Sequence, residues 1–137
     1  SVEATGTANT TLNVTGTPTG LPSSGAFTST TTFTNLEGGA INAFSQGSGV
    51  LDFNLTSVHI TTGTPGGPDD FPTPPALTFS AEGSLSTFKF DILNNRIDDS
   101  SGDGIFIGHE GTIEGRVTGN TITNIELGDG IRIDTDT

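Results

Sequence analysis

Apolar and polar residues alternate along most of this chain of 137 residues. In residues 50–55, for example, Leu51, Phe53 and Leu55 fall on one face and polar residues on the other. Residues 88–92 repeat this alternation, which is the pattern of a β-strand that packs one face on a core. Because no segment sustains the three- and four-residue spacing of an amphipathic helix, the pattern predicts an all-β protein.

The strand-like segments belong to an internal repeat, in which a short alternating apolar segment is followed by a polar tail. The apolar segments begin at Val2, Ile41, Leu77, Ile105 and Ile131. A glycine lies six residues after the start of the second, third and fourth segments, at Gly47, Gly83 and Gly111. A single copy cannot bury its apolar face alone, whereas stacked copies can. The repeat therefore predicts a parallel β-solenoid of about four coils, forming one domain over residues 1–137 that is a module or subunit of a larger assembly.

Later turns carry a more specific signature. Residues 94–97 and 119–122 each place Asn two positions before Ile, and residues 102–105 and 128–131 both read Gly-Asp-Gly-Ile. These motifs resemble the right-handed parallel β-helix of pectin-lyase-like proteins, over residues 88–137 and also 26–60. The resemblance implies a secreted or surface protein with this fold. It does not imply one activity, since lyases, hydrolases, phage spikes and adhesins share the architecture.

Two segments interrupt the repeat. Residues 15–24 contain Pro18 and Pro22, and residues 61–75 contain five of the seven prolines. Since proline cannot donate a hydrogen bond to a strand ladder, both segments are predicted to be loops. Long loops on a rigid scaffold often bind ligands, but a tolerated surface insertion explains them equally well.

Composition narrows the possible partners. The chain has 16 acidic and 4 basic residues and a net charge of -12, which argues against nucleic acid and against an anionic membrane surface. Cysteine is absent, so disulfides and thiol chemistry are excluded, and the absence of Trp and Tyr argues against a sugar-binding groove. An acidic, Thr-rich chain favours an extracellular or cell-surface location. A chain that begins at Ser1 is expected to be a processed product or a piece of a longer protein.

The repeat register aligns Gln46, Glu82 and Glu110 in one column, with Asp136 as a continuation. Equivalent residues of neighbouring parallel strands lie about 4.8 Å apart. Two carboxylates at that distance repel, so one takes up a proton or a cation lies between them. The hypotheses are a calcium site, an acid–base pair, or a turn whose side chains extend into water.

Residues 98–104 form the densest run of oxygen ligands. They lack the spacing of an EF-hand, but Asp98, Asp99 and Asp103 could form a looser calcium site. The alternative is a set of tight turns capped by Asp side chains. Calcium is the only cofactor that the sequence suggests.

Other candidate residues give weaker signals. His59 and His109 occupy different repeat positions and are expected to be isolated outward side chains, and no catalytic residue is assigned. Three glycosylation sequons begin at Asn9, Asn13 and Asn54. An ice-binding threonine face is disfavoured, because later copies place Asp, Asn and Arg at the equivalent positions.

The ends of the predicted stack suggest a function. Val2 and Ala4 on one side, and Ile131 and Ile133 on the other, belong to strands without a partner beyond them. We therefore expect a structural or adhesive protein that associates head to tail with itself or with neighbouring repeats. The alternatives are a polysaccharide lyase or glycosidase, using Arg96 or Arg116 beside the carboxylates, and a carbohydrate-binding phage spike.

The register also predicts burial. Two ladders of inward residues are expected to be stacked and buried: Ile60, Ile97 and Ile122, and Leu77, Ile105 and Ile131. Arg96 and Thr121, one position before the first ladder, are expected to tolerate replacement.

Overall fold

The computed structural model describes residues 2–34, 39–62 and 74–135. Within these ranges the protein is all-β, as the alternating pattern predicts. The strands are β1 (Val2–Ala4), β2 (Asn9–Thr15), β3 (Pro18–Thr19), β4 (Thr28–Ser29), β5 (Thr32–Thr34), β6 (Ile41–Gln46), β7 (Val50–Thr56), β8 (His59–Thr61), β9 (Leu77–Glu82), β10 (Thr87–Leu93), β11 (Arg96–Asp98), β12 (Ile105–His109), β13 (Thr112–Thr118), β14 (Thr121–Thr123) and β15 (Ile131–Thr135). No helix long and apolar enough to cross a membrane occurs in these ranges.

Three parallel sheets contain all of these strands except the β3–β4 pair. Sheet A has the order β1-β6-β9-β12-β15, sheet B has β2-β7-β10-β13, and sheet C has β5-β8-β11-β14. Consecutive strands therefore go to sheets A, B and C in turn. Four strand sets result: β1, β2 and β5; β6–β8; β9–β11; and β12–β14. The stacking of parallel strands predicted from the repeat is thus confirmed.

The predicted register is confirmed from the second set onward. Ile41 pairs with Leu77, Leu77 with Ile105, and Ile105 with Ile131. In sheet C, Ile60, Ile97 and Ile122 pair in the same way.

The alignment of the first copy was wrong, because Val2 pairs with Ala43 rather than with Ile41. A turn glycine sets this register. Gly6 and Gly47 both have positive φ, and they lie side by side where each strand of sheet A ends. Val2 lies four residues before Gly6 and Ala43 four residues before Gly47, so β1 is displaced by two residues from the predicted alignment.

Phenylalanine rings fill the space between sheets A and B. The ring centroid of Phe79 lies 5.1 Å from that of Phe53 and 5.3 Å from that of Phe88. Phe90 lies 6.3 Å from Phe79 in a stacked orientation. These side chains are almost completely buried, because they come from the middle strands and have neighbours above and below.

An asparagine ladder closes the turn between sheets B and C. Asn95 is fully buried, and its Oδ1 accepts a hydrogen bond from the Val58 N–H at 2.8 Å. Its Nδ2 donates to the Leu55 carbonyl at 3.0 Å and to Asn120 Oδ1 at 2.9 Å. The Asn-x-Ile motif therefore serves to satisfy backbone groups that the turn would leave unpaired.

The first insertion is more ordered than predicted. Instead of a loop alone, residues 18–29 contain an antiparallel hairpin in which Pro18 pairs with Ser29 and Thr19 with Thr28. Most of the second insertion, residues 63–73 with Phe71, lies outside the described residues.

Candidate functional site

The edge formed by β13, β14 and β15 is the strongest candidate for an interaction site. Ile131 and Ile133 are 46% and 65% exposed, although they pair with the buried Ile105 and Ile107. The side chains have the inward orientation of the ladder, but no further strand of the described residues lies beyond them. The predicted burial of Ile131 is therefore wrong, and the prediction that this end carries exposed isoleucines is consistent with the structure.

The opposite edge is formed by β1, β2 and β5. Among the described strands, each has a neighbour on one side only: β6, β7 and β8 pair with β1, β2 and β5 respectively. Val2 and Ala4 lie on β1, opposite Ala43 and Ser45. Inward residues of this edge, such as Leu12 and Phe33, are partly buried against the core.

A second candidate is a polar cluster on the outer face of sheet C. Asp98 is 9% exposed, and its Oδ2 accepts hydrogen bonds from Arg96 Nε at 2.5 Å and from His59 Nε2 at 3.0 Å. Thr123 donates its hydroxyl to Asp98 Oδ1. Thr61 Oγ1 lies 3.4 Å from His59 Nε2. His59 is therefore not isolated, and that prediction was wrong.

The hairpin insertion lies over this cluster. Arg96 Nη1 donates to the carbonyls of Pro22, at 3.2 Å, and Ser24, at 2.8 Å. Phe27 is buried, with its ring edge-on to His59 at 5.9 Å between centroids. Arg96 thus joins the hairpin to Asp98, and we now expect its replacement to be costly, contrary to the tolerance that its outward position predicts.

The electrostatics of Asp98 follow from these contacts. Burial acts to raise its pKa, but hydrogen bonds from Arg96, Thr123 and His59 favour the charged form and together hold the pKa below the ordinary value of 3.8. Both carboxylate oxygens already have donors. The cluster is therefore suited to anchoring the hairpin, and a base that must accept a proton would need a less occupied carboxylate.

The strand register predicted from the sequence already brings the main residues of this cluster together, although the cluster itself was not predicted. With Ile60 and Ile97 aligned, His59 must lie beside Arg96, and Thr61 beside Asp98. Arg96 and Asp98 are two residues apart on one strand and so share a face. Only the contribution of the hairpin lay beyond this reasoning, since no repeat position defines it.

The carboxylate column forms in part. Gln46 pairs with Glu82, and its Nε2 donates to Glu82 Oε2 at 2.5 Å. Glu110 Oε2 accepts a hydrogen bond from the Gly83 N–H at 3.0 Å, one residue beyond Glu82. Asp136 lies outside the described residues. The two glutamates thus each have a protein donor.

The three aspartates of residues 98–104 that were predicted as calcium ligands contact different partners. Asp98 belongs to the polar cluster, Asp99 Oδ1 accepts from Asn124 Nδ2 at 2.9 Å, and Asp103 Oδ1 accepts from the Asp129 N–H at 2.7 Å. Across residues 2–34, 39–62 and 74–135, no group of three or more His, Cys, Asp or Glu converges as a metal ligand set. Calcium binding stays a prediction.

The remaining predicted residues lie at scattered outward positions. The sequon asparagines Asn9 and Asn13 lie on β2 and Asn54 on β7, and Asn54 Nδ2 donates to Asn13 Oδ1 at 3.0 Å. His109 lies on sheet A, and its Nδ1 is 3.3 Å from the Gly111 carbonyl oxygen. Arg116 pairs with Asp91 on the outer face of sheet B, so it lies on a different face from Arg96.

Comparisons with known proteins give no relative on which to base a function. No protein-family model, no curated protein and no solved structure matches the chain. Function must therefore be argued from the geometry of the two edges and of the polar cluster.

Proposed function

We propose that this chain is a β-solenoid of about four coils, similar to a right-handed parallel β-helix, with a structural or adhesive role outside the cell. In this proposal it associates end to end with copies of itself. The succession of strands through sheets A, B and C, set after set, supports the solenoid. The acidic, Thr-rich composition is the basis for the proposed extracellular location.

The exposure of Ile131 and Ile133 carries the proposal. Their side chains continue an inward ladder that is fully or almost fully buried at Ile105 and Ile107. A further strand placed against β15 would bury them in the same way. Such burial contributes roughly 25 cal/mol for each Å² of apolar surface removed from water.

The backbone favours the same contact. Edge strands expose N–H and C=O groups that readily pair with another strand. The two edges of this protein are different surfaces, so a contact between them is heterologous and propagates into a fibre. The net charge of -12 opposes association between copies, and added salt should weaken that repulsion.

Sedimentation velocity and electron microscopy over a range of protein and salt concentrations test this proposal. We expect assemblies that grow with both concentrations. Replacing Ile131 and Ile133 by Lys should leave the folded monomer intact and stop assembly, because it places charges on the edge.

Leu85→Lys is the matched control. Leu85 is 76% exposed but lies in the turn between β9 and β10, away from both edges, so this variant should assemble like the unmodified protein. A protein that stays monomeric at high concentration and high salt would contradict the proposal. Release of sugars from polysaccharides by the monomer would favour an enzyme instead.

A further inference from the structure

The three sheets do not have the same number of strands. Over the described residues, sheet A has five strands, whereas sheets B and C have four each. The fifth strand is β15, and none of the described strands accompanies it in sheets B or C. The edge near β15 is therefore a step, with sheet A one strand further along than its neighbours.

Sheets B and C can continue into a second copy without adjustment. β13 and the edge strand β2 both have seven residues, and β14 and the edge strand β5 both have three. Extending the observed register aligns Thr112 with Asn9 and Thr121 with Thr32. Inward residues then meet inward residues, as Val117 meets Val14 and Ile122 meets Phe33.

Sheet A cannot continue in the same way. Suppose that β2 and β5 of the second copy pair with β13 and β14 of the first. Then β1 of the second copy must lie next to β12 of the first in sheet A, where β15 already lies. Two strands cannot share one place in a sheet. One of them must leave for the three sheets to continue together.

We propose that β15 of one copy takes the place of β1 in the next copy and pairs there with β6. This inference rests on the proposed end-to-end association and specifies its mechanism. Each junction is then a strand exchange in which the fifth strand of sheet A becomes the first strand of the next stack.

The pairing of β1 explains why it is the strand that leaves. Among the residues that the structure describes, β1 pairs with β6 at three positions, Ala43 to Ser45. β15 has five residues, and in the register of the repeat it would cover Ile41 to Ser45. The exchange would thus replace the three described pairs by five.

The side chains of β15 suit this position. Ile131 and Ile133 would lie beside the buried Ile41 and Ala43 and lose their exposure. On the outer face, Arg132 would lie beside Asn42 and Asp134 beside Phe44, so the contact brings no like charges together. β15 thus offers an inward aliphatic row and a neutral or complementary outward row.

Cysteine cross-linking tests the register, since the chain has no cysteine of its own. Arg132→Cys in one copy and Asn42→Cys in another would place paired residues about 4.8 Å apart, within the span of a disulfide. We expect a covalent dimer when the two variants are mixed under assembly conditions and oxidised.

Asp134→Cys mixed with Asn42→Cys is the control. It is displaced by two residues along the strand, which separates the Cα atoms by about 8 Å and prevents a disulfide. Equal cross-linking in both mixtures, or none in the first while assemblies form, would overturn the strand exchange.

A lock on β1 tests its departure. Glu3 and Phe44 are paired in β1 and β6, so the double variant Glu3→Cys, Phe44→Cys can tie β1 in place when oxidised. We expect the oxidised form to lose assembly and the reduced form to regain it. The single variants under the same oxidant are the controls, and they should assemble in both conditions.

The outcomes separate the two proposals. Assembly of the locked form as efficiently as its reduced form would show that β1 stays in place, and the strand exchange would be wrong while end-to-end association stands. Absence of assembly in every variant and in the unmodified protein would overturn both. Redox-dependent assembly of the double variant alone, together with the register-specific cross-link, would support the exchange.

Discussion

The strands β12 and β15 begin with the same sequence pattern but differ in their surroundings. Residues 102–105 and 128–131 both read Gly-Asp-Gly-Ile, yet Ile105 is fully buried and Ile131 is 46% exposed. Ile105 has β9 on one side and β15 on the other, while Ile131 has β12 as its one neighbour among the described strands. Burial in this fold is therefore a property of the stack, and the same motif is core in one place and surface in another.

Two ion pairs of the protein also differ in how far they are exposed to solvent. Asp98 is enclosed by Arg96, His59 and the hairpin, whereas the Asp91–Arg116 pair lies open on sheet B. The hydrogen bond from Arg116 lowers the pKa of Asp91, partial burial opposes this, and the charge of Arg116 lowers the pKa further. An exposed pair contributes little to stability, because water and salt screen it.

The largest predicted difference in stability is between variants that place a charge at Ile105 and at the equivalent ladder position, Ile131. Ile105→Asp should prevent folding, since an unpaired charge between two strands costs several kcal/mol. Ile131→Asp should have a free energy of unfolding close to that of the unmodified protein, because the new carboxylate reaches water. Chemical denaturation followed by circular dichroism, at a protein concentration too low for assembly, measures both. A folded Ile105→Asp variant would show that the register is wrong.

The asparagine ladder should show a smaller contrast. Asn95→Ala removes the partners of the Val58 N–H and the Leu55 carbonyl, and each buried unpaired group costs about 1–3 kcal/mol. Asn120→Ala should cost less, because Asn120 is partly exposed and water can replace it. Urea unfolding of the two variants gives the difference. Equal losses would mean that the turn near Asn120 is as enclosed as the one at Asn95.

The pH dependence should separate the two aspartates. Since the pKa of folded Asp98 lies below 3.8, its ionisation adds stability above that pH, and this stability is lost as the pH falls through the lowered pKa. Asp98→Asn should therefore be less stable than the unmodified protein near neutral pH, with the difference shrinking in acid. Asp91→Asn should change little at any pH. Melting temperatures from pH 7 to pH 2 test this, and parallel curves for Asp98→Asn and the unmodified protein would contradict it.

The sequence was sufficient for the parts of the fold that repeat. Apolar alternation located the strands, and the alignment of Ile60, Ile97 and Ile122 gave the register of sheet C. The same alignment implied that His59 neighbours Arg96, so the core of the polar cluster was accessible from the sequence although the prediction missed it.

Features that do not repeat were beyond this reasoning. The hairpin has no counterpart in other strand sets, and its position depends on the contacts of Arg96 with Pro22 and Ser24. The displaced register of β1 follows the turn at Gly6, which lies beside the turn at Gly47. The position of the hairpin is a consequence of tertiary contacts that a local pattern does not encode. The register of β1 could have been predicted by aligning Gly6 with Gly47 instead of aligning the apolar residues.

Calcium should have the smallest effect. The column runs from the Gln46–Glu82 pair in the middle of sheet A to Glu110, and protein donors already bind each glutamate. Two carboxylates give a weaker site than the six to eight oxygen ligands that calcium prefers. We expect calcium to raise the melting temperature slightly more than sodium chloride of equal ionic strength. Glu110→Gln should abolish that excess because it removes one of the two charges. Identical melting curves in calcium and in chelator, at matched ionic strength, would show that calcium does not stabilise this protein.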